Sequence, residues 1–556
     1  MRRHGPVITL VGAAALATAV ASATRSQDQG EGQDALALVT EGTEMVPPCA
    51  SCHGEDGLGN ADMAAPMLAG MDAGYLARAL ASYADGTRLG YTMNSIASEL
   101  TPEQIEALAR HYAALPAAAR QWEIDEAAAR AGEALVREGL WSMDVPACTS
   151  CHGENAEGVG SVFPRLAGQL PVYMSDRIAF WRSGEDAADN PDEALMASIA
   201  KRMPEEEMAA AIAYLAGLAP EAGPSMDYPP VELAWEPPVL RTEPLPNEIL
   251  WGAAESAYEA QQARVSRPDA VEHTPPSLEE IPDGPEGDMI RLGRFLFSDT
   301  QTLRGTFVGN DQNCSNCHMN AGAEEKSAPV WATAVDFPQF RGKNQRVNTL
   351  PERIAGCFTY SMDGTPPPAQ HKVMVAIETY MEWLGKGIPS GAVQKVRGYG
   401  LIPVPEQKPD YARGETVYVE RCAVCHGEDG QGVKTGDRVV FPPLWGPEAF
   451  NWGAGMHTLD NAAGFVKHNM PLGNPDLTDQ QVWDVVLYMN SHERPQDPRW
   501  KGDVRATRNA YHDHTCLYGL GTANGLMGDT GEPLPKPEPQ PWSNWRASGT
   551  PLPAPE

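Results

Sequence analysis

Eight of the ten cysteines stand in four Cys-x-x-Cys-His units: Cys49/Cys52/His53, Cys148/Cys151/His152, Cys314/Cys317/His318 and Cys422/Cys425/His426. Two thiols at that spacing can form thioethers to the two vinyl groups of one haem, while the imidazole of the next residue reaches the iron. A redox or zinc Cys-x-x-Cys does not require His at the same place each time. The four units therefore read as four covalent haem c sites, and a fold must bring each one a large apolar pocket. Disulfides, the ordinary expectation for ten cysteines in an exported chain, do not fit this spacing.

Each iron has a sixth position, and a methionine stands downstream of three of the motifs at nearly constant distance. Met93 lies 40 residues after His53, Met196 44 after His152 and Met470 44 after His426. An amphipathic helix is expected to begin seven to nine residues after each Met. Thr101 with Gln104 and Thr478 with Gln481 read as capping boxes, and Ile105, Leu108, Ala109, Tyr112 and Leu115 share one helical face. A lone Met usually fills a gap in a core. The shared position relative to both His and helix instead makes these three the expected axial ligands, in loops between the helices of small all-helical units.

At 556 residues the chain is too long for one core, and at about 100–200 residues per domain it holds several. Arg2 and Arg3, an apolar run from Val7 to Val20 and the small-x-small triplet Ala21-Ser22-Ala23 read as an export signal over residues 1–23, removed to leave a periplasmic protein. An uncleaved anchor is the alternative, but the run is shorter than the roughly 20 apolar residues of a membrane span, and no later run approaches that length. A net charge of -32 argues against nucleic acid as a partner and means that an anionic substrate needs a local positive patch.

The first two motifs belong to an internal repeat. Pro66-Met67-Leu68-Ala69-Gly70 before Tyr75 is echoed by Pro164-Arg165-Leu166-Ala167-Gly168 before Tyr173, and Met93-Asn94-Ser95-Ile96-Ala97 by Met196-Ala197-Ser198-Ile199-Ala200. Over roughly residues 35 to 218 these residues resemble the dihaem cytochrome c4 family, a pair of class I cytochrome c domains that carries electrons. From Pro220 to Pro246 the chain turns Pro- and Glu-rich, as an extended linker does. A helix is expected around Glu248 to Arg264.

The second half carries longer signatures, among them Gly287-Asp288-Met289-Ile290-Arg291-Leu292-Gly293, Glu352-Arg353-Ile354-Ala355-Gly356-Cys357-Phe358, Phe441-Pro442-Pro443-Leu444-Trp445-Gly446, Gly453-Ala454-Gly455-Met456 and His468-Asn469-Met470-Pro471. Across about residues 275 to 500 these resemble the dihaem thiosulfate dehydrogenase family. The expected organisation is all-α, with four class I cytochrome c domains in two dihaem halves: 35–118, 119–219, 275–405 and 406–500, with a linker over 220–274 and a Pro-rich tail over 501–556.

The third haem breaks the pattern. Spacing points to Met362, 44 residues after His318 and about eight before a helix with Val373, Ile377, Tyr380 and Leu384 on one face. The resemblance points to Cys357, 39 residues after His318, because that family binds its active-site iron through a cysteine thiolate at the matching position. A thiolate donates more strongly than Met and sets this haem apart from the other three. The bland alternatives for Cys357 are a buried inert thiol or a disulfide with Cys516, and Cys516, near His512 and His514, reads as a bystander. Arg341, Lys343, Arg346 and Arg353 precede Cys357 with Glu352 as the one intervening acid. Such a run is often simply solvated, yet joining two thiosulfate dianions requires that their repulsion be offset. Arg353 and Ser361 match active-site positions of the family.

The resemblance thus implies oxidation of two thiosulfates to tetrathionate at the haem of His318 and Cys357, by way of a transient cysteinyl thiosulfonate. Electrons would pass through the haem of His426 and Met470 to the amino-terminal pair, and then to a downstream redox protein or oxidase. Some family members carry lysine beside the Met ligand and exchange ligands, whereas Asn469 occupies that place here. The competing readings are a tetrahaem electron carrier without catalysis and an enzyme working in the tetrathionate-reducing direction.

Overall fold

The computed structural model describes residues 35–118, 125–184, 191–220, 247–341, 346–389, 392–436, 438–512, 514–522 and 525–537. The expected signal, residues 221–246 of the Pro-rich stretch and Lys343 lie outside them. The chain divides into two compact units, one ending at residue 227 and the other beginning at 228.

In the first unit, α1 (Ala73–Asp85) packs on α2 (Pro102–Ala114). Thr101 and Gln104 form the expected capping box that starts α2, whose Ile105, Leu108, Ala109 and Tyr112 are buried. In the second repeat α3 (Glu126–Glu138), started by the Asp125 carboxylate, packs on α4 (Glu205–Gly217). The repeated Pro-x-Leu-Ala-Gly segments meet each other. Arg165 donates to the carbonyls of Ala69 (2.7 Å) and Gly70 (2.9 Å), and the Gln169 amide both accepts from and donates to the Met67 backbone. Met93 and Met196 lie within helices, Tyr91–Ala97 and Pro191–Arg202, where loops are expected from sequence. For the first, the Asn94 side chain explains the difference. It accepts from Gly90 N and donates to the carbonyls of Tyr83 and Arg88, which fixes the turn that starts the helix.

In the second unit α5 (Asn247–Val265), foreseen within a linker, packs against the second half through buried Leu250, Trp251 and Ala254. The third domain pairs α6 (Pro285–Ser298) with α8 (Lys372–Leu384), and between them α7 (Leu350–Tyr360) follows an antiparallel hairpin of β1 (Gln339–Arg341) and β2 (Arg346–Asn348). Thr349 and Glu352 form a capping box at the start of α7, with Pro351 in its first turn. The fourth domain pairs α9 (Tyr411–Arg421) with α11 (Asp479–Asn490), and α10 (Leu459–Asn469) ends at Met470.

One device recurs in three domains. A Cβ at Gly132, Gly293 or Gly414 would collide with a backbone carbonyl oxygen of the partner helix, at Ala210, Ala376 and Asp484 respectively. Glycine in a helix interior costs about 1 kcal/mol relative to alanine, and here it permits the backbone approach that joins the two ends of each domain. Beyond Trp500, where a plain tail is expected, α12 (Val504–Tyr511) and a further hairpin form. The segment after that hairpin reaches the third domain, where Thr365 donates to the Pro537 carbonyl and Lys536 pairs with Asp363. Among the described residues no helix is long and apolar enough to cross a membrane.

Candidate active site

All four attachment motifs have the chemistry that covalent haem requires, and none of their eight cysteines is tied up in a disulfide. Each His donates Nδ1–H to a backbone carbonyl 10–16 residues downstream: His53 to Pro66 (3.0 Å), His152 to Pro164 (2.8 Å), His318 to Ala328 (2.7 Å) and His426 to Pro442 (2.9 Å). A carbonyl can only accept, so each bond fixes the tautomer and directs the Nε2 lone pair away from the backbone. Burial lowers the pKa of all four imidazoles, that of His318 to about 4, and keeps them neutral. Tyr112 Oη, whose phenol lies within electrostatic reach of Cys49, is a buried donor without a protein partner. Polar atoms of this kind are costly to bury unless a bound group satisfies them, and the carboxylates of a haem have the right chemistry. The residues fit the cofactor.

Enclosure is less even than the sequence leads one to expect. Burial raises the thiol pKa of Cys49, and it pushes Cys148 up to about 11 and Cys151 and Cys422 up to about 12, as an apolar pocket should. Cys52 and Cys425 are half-buried, as are Cys49, Cys148, Cys314, Cys317 and Cys422, and Cys151 alone of the eight is buried. Cys52 and Cys425 each follow an exposed residue, Ser51 or Val424. Cys52 Sγ lies 3.8 Å from the Ser51 hydroxyl.

The third motif differs from the others in its surroundings. Arg353 and Cys357 sit one turn apart on α7, and Arg353 Nη1 donates to Cys357 Sγ at 2.9 Å. Cys357 beside it holds the Arg353 guanidinium above its usual range, against the opposing effect of burial. Burial pushes the thiols of Cys314 and Cys317 up to about 12, and the proximity of Cys357 adds to both. At His318 the charge of Arg353 adds to the lowering by burial. Cys357 and Arg353 therefore face the third haem motif. Met362, by contrast, is 3% exposed and packs in the apolar core with Phe307 and Phe358.

The remaining cations divide. Arg341 ends β1 within electrostatic reach of Cys357; burial lowers its pKa, and neighbouring Arg353 and Arg397 lower it further. Arg346, directly across the hairpin, is exposed and pairs with Glu352 at 2.5 Å. Ser361 closes α7, its N–H donating to the Cys357 carbonyl at 2.9 Å. Cys516 is unbridged and buried elsewhere, so the alternative of a disulfide with Cys357 is not realised.

Two features were missed from sequence. Burial raises the pKa of Tyr399 well above the usual phenol range, and Cys317, Arg353 and Cys357 all act on it, so its ring belongs to the same pocket. An aromatic residue between two glycines, Gly398 and Gly400, in a connecting segment is the signal that could have marked it. Asn451 of the fourth domain holds the end of α7. Its Nδ2 donates to the Thr359 carbonyl (3.0 Å) and its N–H to that of Tyr360 (3.2 Å), while Asn310 Nδ2 donates to Ser361 O (2.8 Å). Carbonyls that a helix C-terminus leaves without intrahelical partners are thus satisfied, and the Cys357 helix is fixed to its neighbour.

The cytochrome c family model matches residues 39–112, 130–219 and 411–493. The thiosulfate dehydrogenase of Thiomonas intermedia is 48% identical over 265 residues, 47% of this chain and 84% of its own length. The chain belongs to the thiosulfate dehydrogenase family. The thiosulfate dehydrogenase electron acceptor of Stutzerimonas stutzeri is 38% identical over 171 residues, 31% of this chain and 78% of its own. A solved thiosulfate dehydrogenase (TsdBA) from Marichromatium purpuratum, in its as-isolated form, matches with a TM-score of 0.74 at 37% identity and covers 90% of this chain and all of that one. The protein is thus a thiosulfate dehydrogenase built of class I cytochrome c domains that carry covalent haem c, with a cytochrome c4-like dihaem electron acceptor fused at its amino-terminal end.

Proposed function

We propose that this thiosulfate dehydrogenase joins two thiosulfates into tetrathionate at the third motif, with Cys357 as the reacting thiol and axial ligand and with Arg353, Arg341, Ser361 and Tyr399 around the substrate. The observation that carries the reading is the 2.9 Å contact of Arg353 with Cys357 Sγ beside the His318 motif. When bound there, haem c supplies a one-electron acceptor, and the other three haems a path onward. The chain's own groups have separate tasks. Arg353 orients the sulfur and offers its remaining donors to a sulfonate, and Arg341 offsets the repulsion between two dianions in a pocket where charges are weakly screened. Lys343, two residues after Arg341 in the sequence, adds to this charge. Arg346 stands at the hairpin's outer edge, where its pairing with Glu352 leaves it a steering role at the entrance.

The balanced reaction removes two electrons from two thiosulfate dianions and forms one S–S bond, with no proton released. His53 with Met93, His152 with Met196 and His426 with Met470 would hold the other three haems. Domains spanning 35–118, 119–219, 275–405 and 406–500 hold one haem each, with α5 assigned to the second half. The fused acceptor favours the oxidising direction, and the export signal read at residues 1–23 favours the periplasm. Thiosulfate added to the oxidised full-length protein is expected to reduce its haems and yield tetrathionate. Unchanged reduction by a Cys357→Ala variant would sink the assignment.

A further inference from the structure

Away from the haem motifs, three side chains from distant parts of the chain converge in the fully buried interior of the second unit. His457 precedes α10, His512 follows α12 and Cys516 lies four residues further on; they are 1%, 0% and 0% exposed. One ligand atom from each of the three lies within 4.8 Å of those of the other two. His512 Nδ1 is 3.2 Å from His457 Nε2 and 3.3 Å from Cys516 Sγ. The backbone holds them in place, because Cys516 bridges Thr458 and Leu459 N donates to Thr515 O at 2.7 Å.

The other ring nitrogens fix the tautomers. His512 Nε2 donates to Asp497 Oδ2 at 2.8 Å, and that carboxylate is also held by Arg499. His457 Nδ1 donates to the Ala454 carbonyl. His512 Nδ1 and His457 Nε2 therefore face each other, with the Cys516 sulfur beside them. Three electron-pair donors around one point, each imidazole backed by an acceptor on its far side, is the arrangement of a metal site with its supporting hydrogen bonds. Tetrahedral zinc with bonds of about 2.0–2.1 Å to nitrogen and 2.3 Å to sulfur places its ligands roughly 3.3–3.6 Å apart.

We propose that His457, His512 and Cys516 bind one zinc ion, which pins the segment after Trp500 onto the fourth domain. Cys516 binds as thiolate and releases its proton to solvent on metal uptake. The fourth position falls to water or to His514, whose ring centre is 5.3 Å from that of His457. The site is structural and does not depend on the reading of the Cys357 pocket.

The test is elemental analysis of the haem-loaded full-length protein, dialysed against EDTA and re-equilibrated with zinc chloride. One zinc per four irons is expected, with one sulfur and at least two imidazoles at the zinc X-ray absorption edge. Cys516→Ser and His512→Gln should lose the zinc and keep four haems. Should either variant fail to fold, the wild type decides: its melting temperature should fall on EDTA treatment and return with zinc but not magnesium. No zinc uptake at micromolar concentration, zinc retained by both variants, copper bound in preference, or a melting temperature insensitive to EDTA would each overturn the proposal.

Discussion

Arg353 Nη1 donates to Cys357 Sγ at 2.9 Å across one turn of α7, whereas Arg346 turns outward to Glu352. Two arginines that look alike in sequence thus have different surroundings. A hydrogen bond to a charged group is worth about 1.5–3 kcal/mol, or roughly 10- to 150-fold in rate. Arg353→Met is expected to lower kcat/KM for thiosulfate by that factor with four haems still attached, and Arg346→Met to change it less than about threefold at moderate salt. Equal losses in steady-state assays would show that the two charges act only as a diffuse field.

The assignment of the third haem's ligand is separable from its attachment. Cys357→Ala is expected to leave four haems by mass spectrometry, since the thioethers use other cysteines, but to abolish turnover and remove the electron paramagnetic resonance signature of thiolate-ligated haem. Met362→Leu, a near-isosteric change in a packed core, should cost under about 1.5 kcal/mol and leave that spectrum unchanged. The reverse pair of results would hand the iron to Met362 and favour the electron-carrier reading.

Glycines at the helix crossings give a test of packing. Gly414→Ala places a methyl group against the Asp484 carbonyl and is expected to destabilise the fourth domain by on the order of 1–3 kcal/mol in denaturant unfolding. Gly252 is the control, because a Cβ there meets nothing within 4 Å and Gly252→Ala should stabilise α5 by up to about 1 kcal/mol. If Gly414→Ala proves neutral, the helices have room to separate and the close approach is incidental.

These glycines also mark where sequence reading stops. The attachment motifs, the capping boxes at Thr101 and Thr478 and the buried face of α8 were legible because each depends on residues close together in the chain. How deeply each motif is enclosed was not, since Cys52, Cys317 and Cys425 share the spacing of Cys151 but are half-buried where Cys151 is buried. A lone glycine in a helical pattern says that something approaches closely but not what, and Gly132, Gly293 and Gly414 differ in their distance from the following motif. Tyr399 joins the Cys357 pocket only through the fold. His457 is 55 residues from His512, so the sequence offered the carboxy-terminal His and Cys without the partner that gives them a chemistry.

The extent of the catalytic half can be decided by truncation. A sequence-based boundary near residue 270 would discard α5, but Leu250 is fully buried and Trp251 packs edge-on against Trp483 at 5.7 Å. Gln261 reaches the pocket directly, its Nε2 donating to the Tyr399 carbonyl at 2.8 Å and its Oε1 accepting from Leu401 N at 2.7 Å. Removing α5 uncovers apolar side chains worth about 1.5–3 kcal/mol each and frees the segment that places Tyr399. A fragment beginning near residue 241 should therefore oxidise thiosulfate with an artificial acceptor, while one beginning near 270 should be less stable and lose most of its activity. A fragment ending near residue 225 should take up electrons from the longer catalytic fragment without oxidising thiosulfate itself. Full activity in the 270 fragment would show that α5 is only a linker, and thiosulfate oxidation by the amino-terminal fragment would reverse the assignment of the two halves.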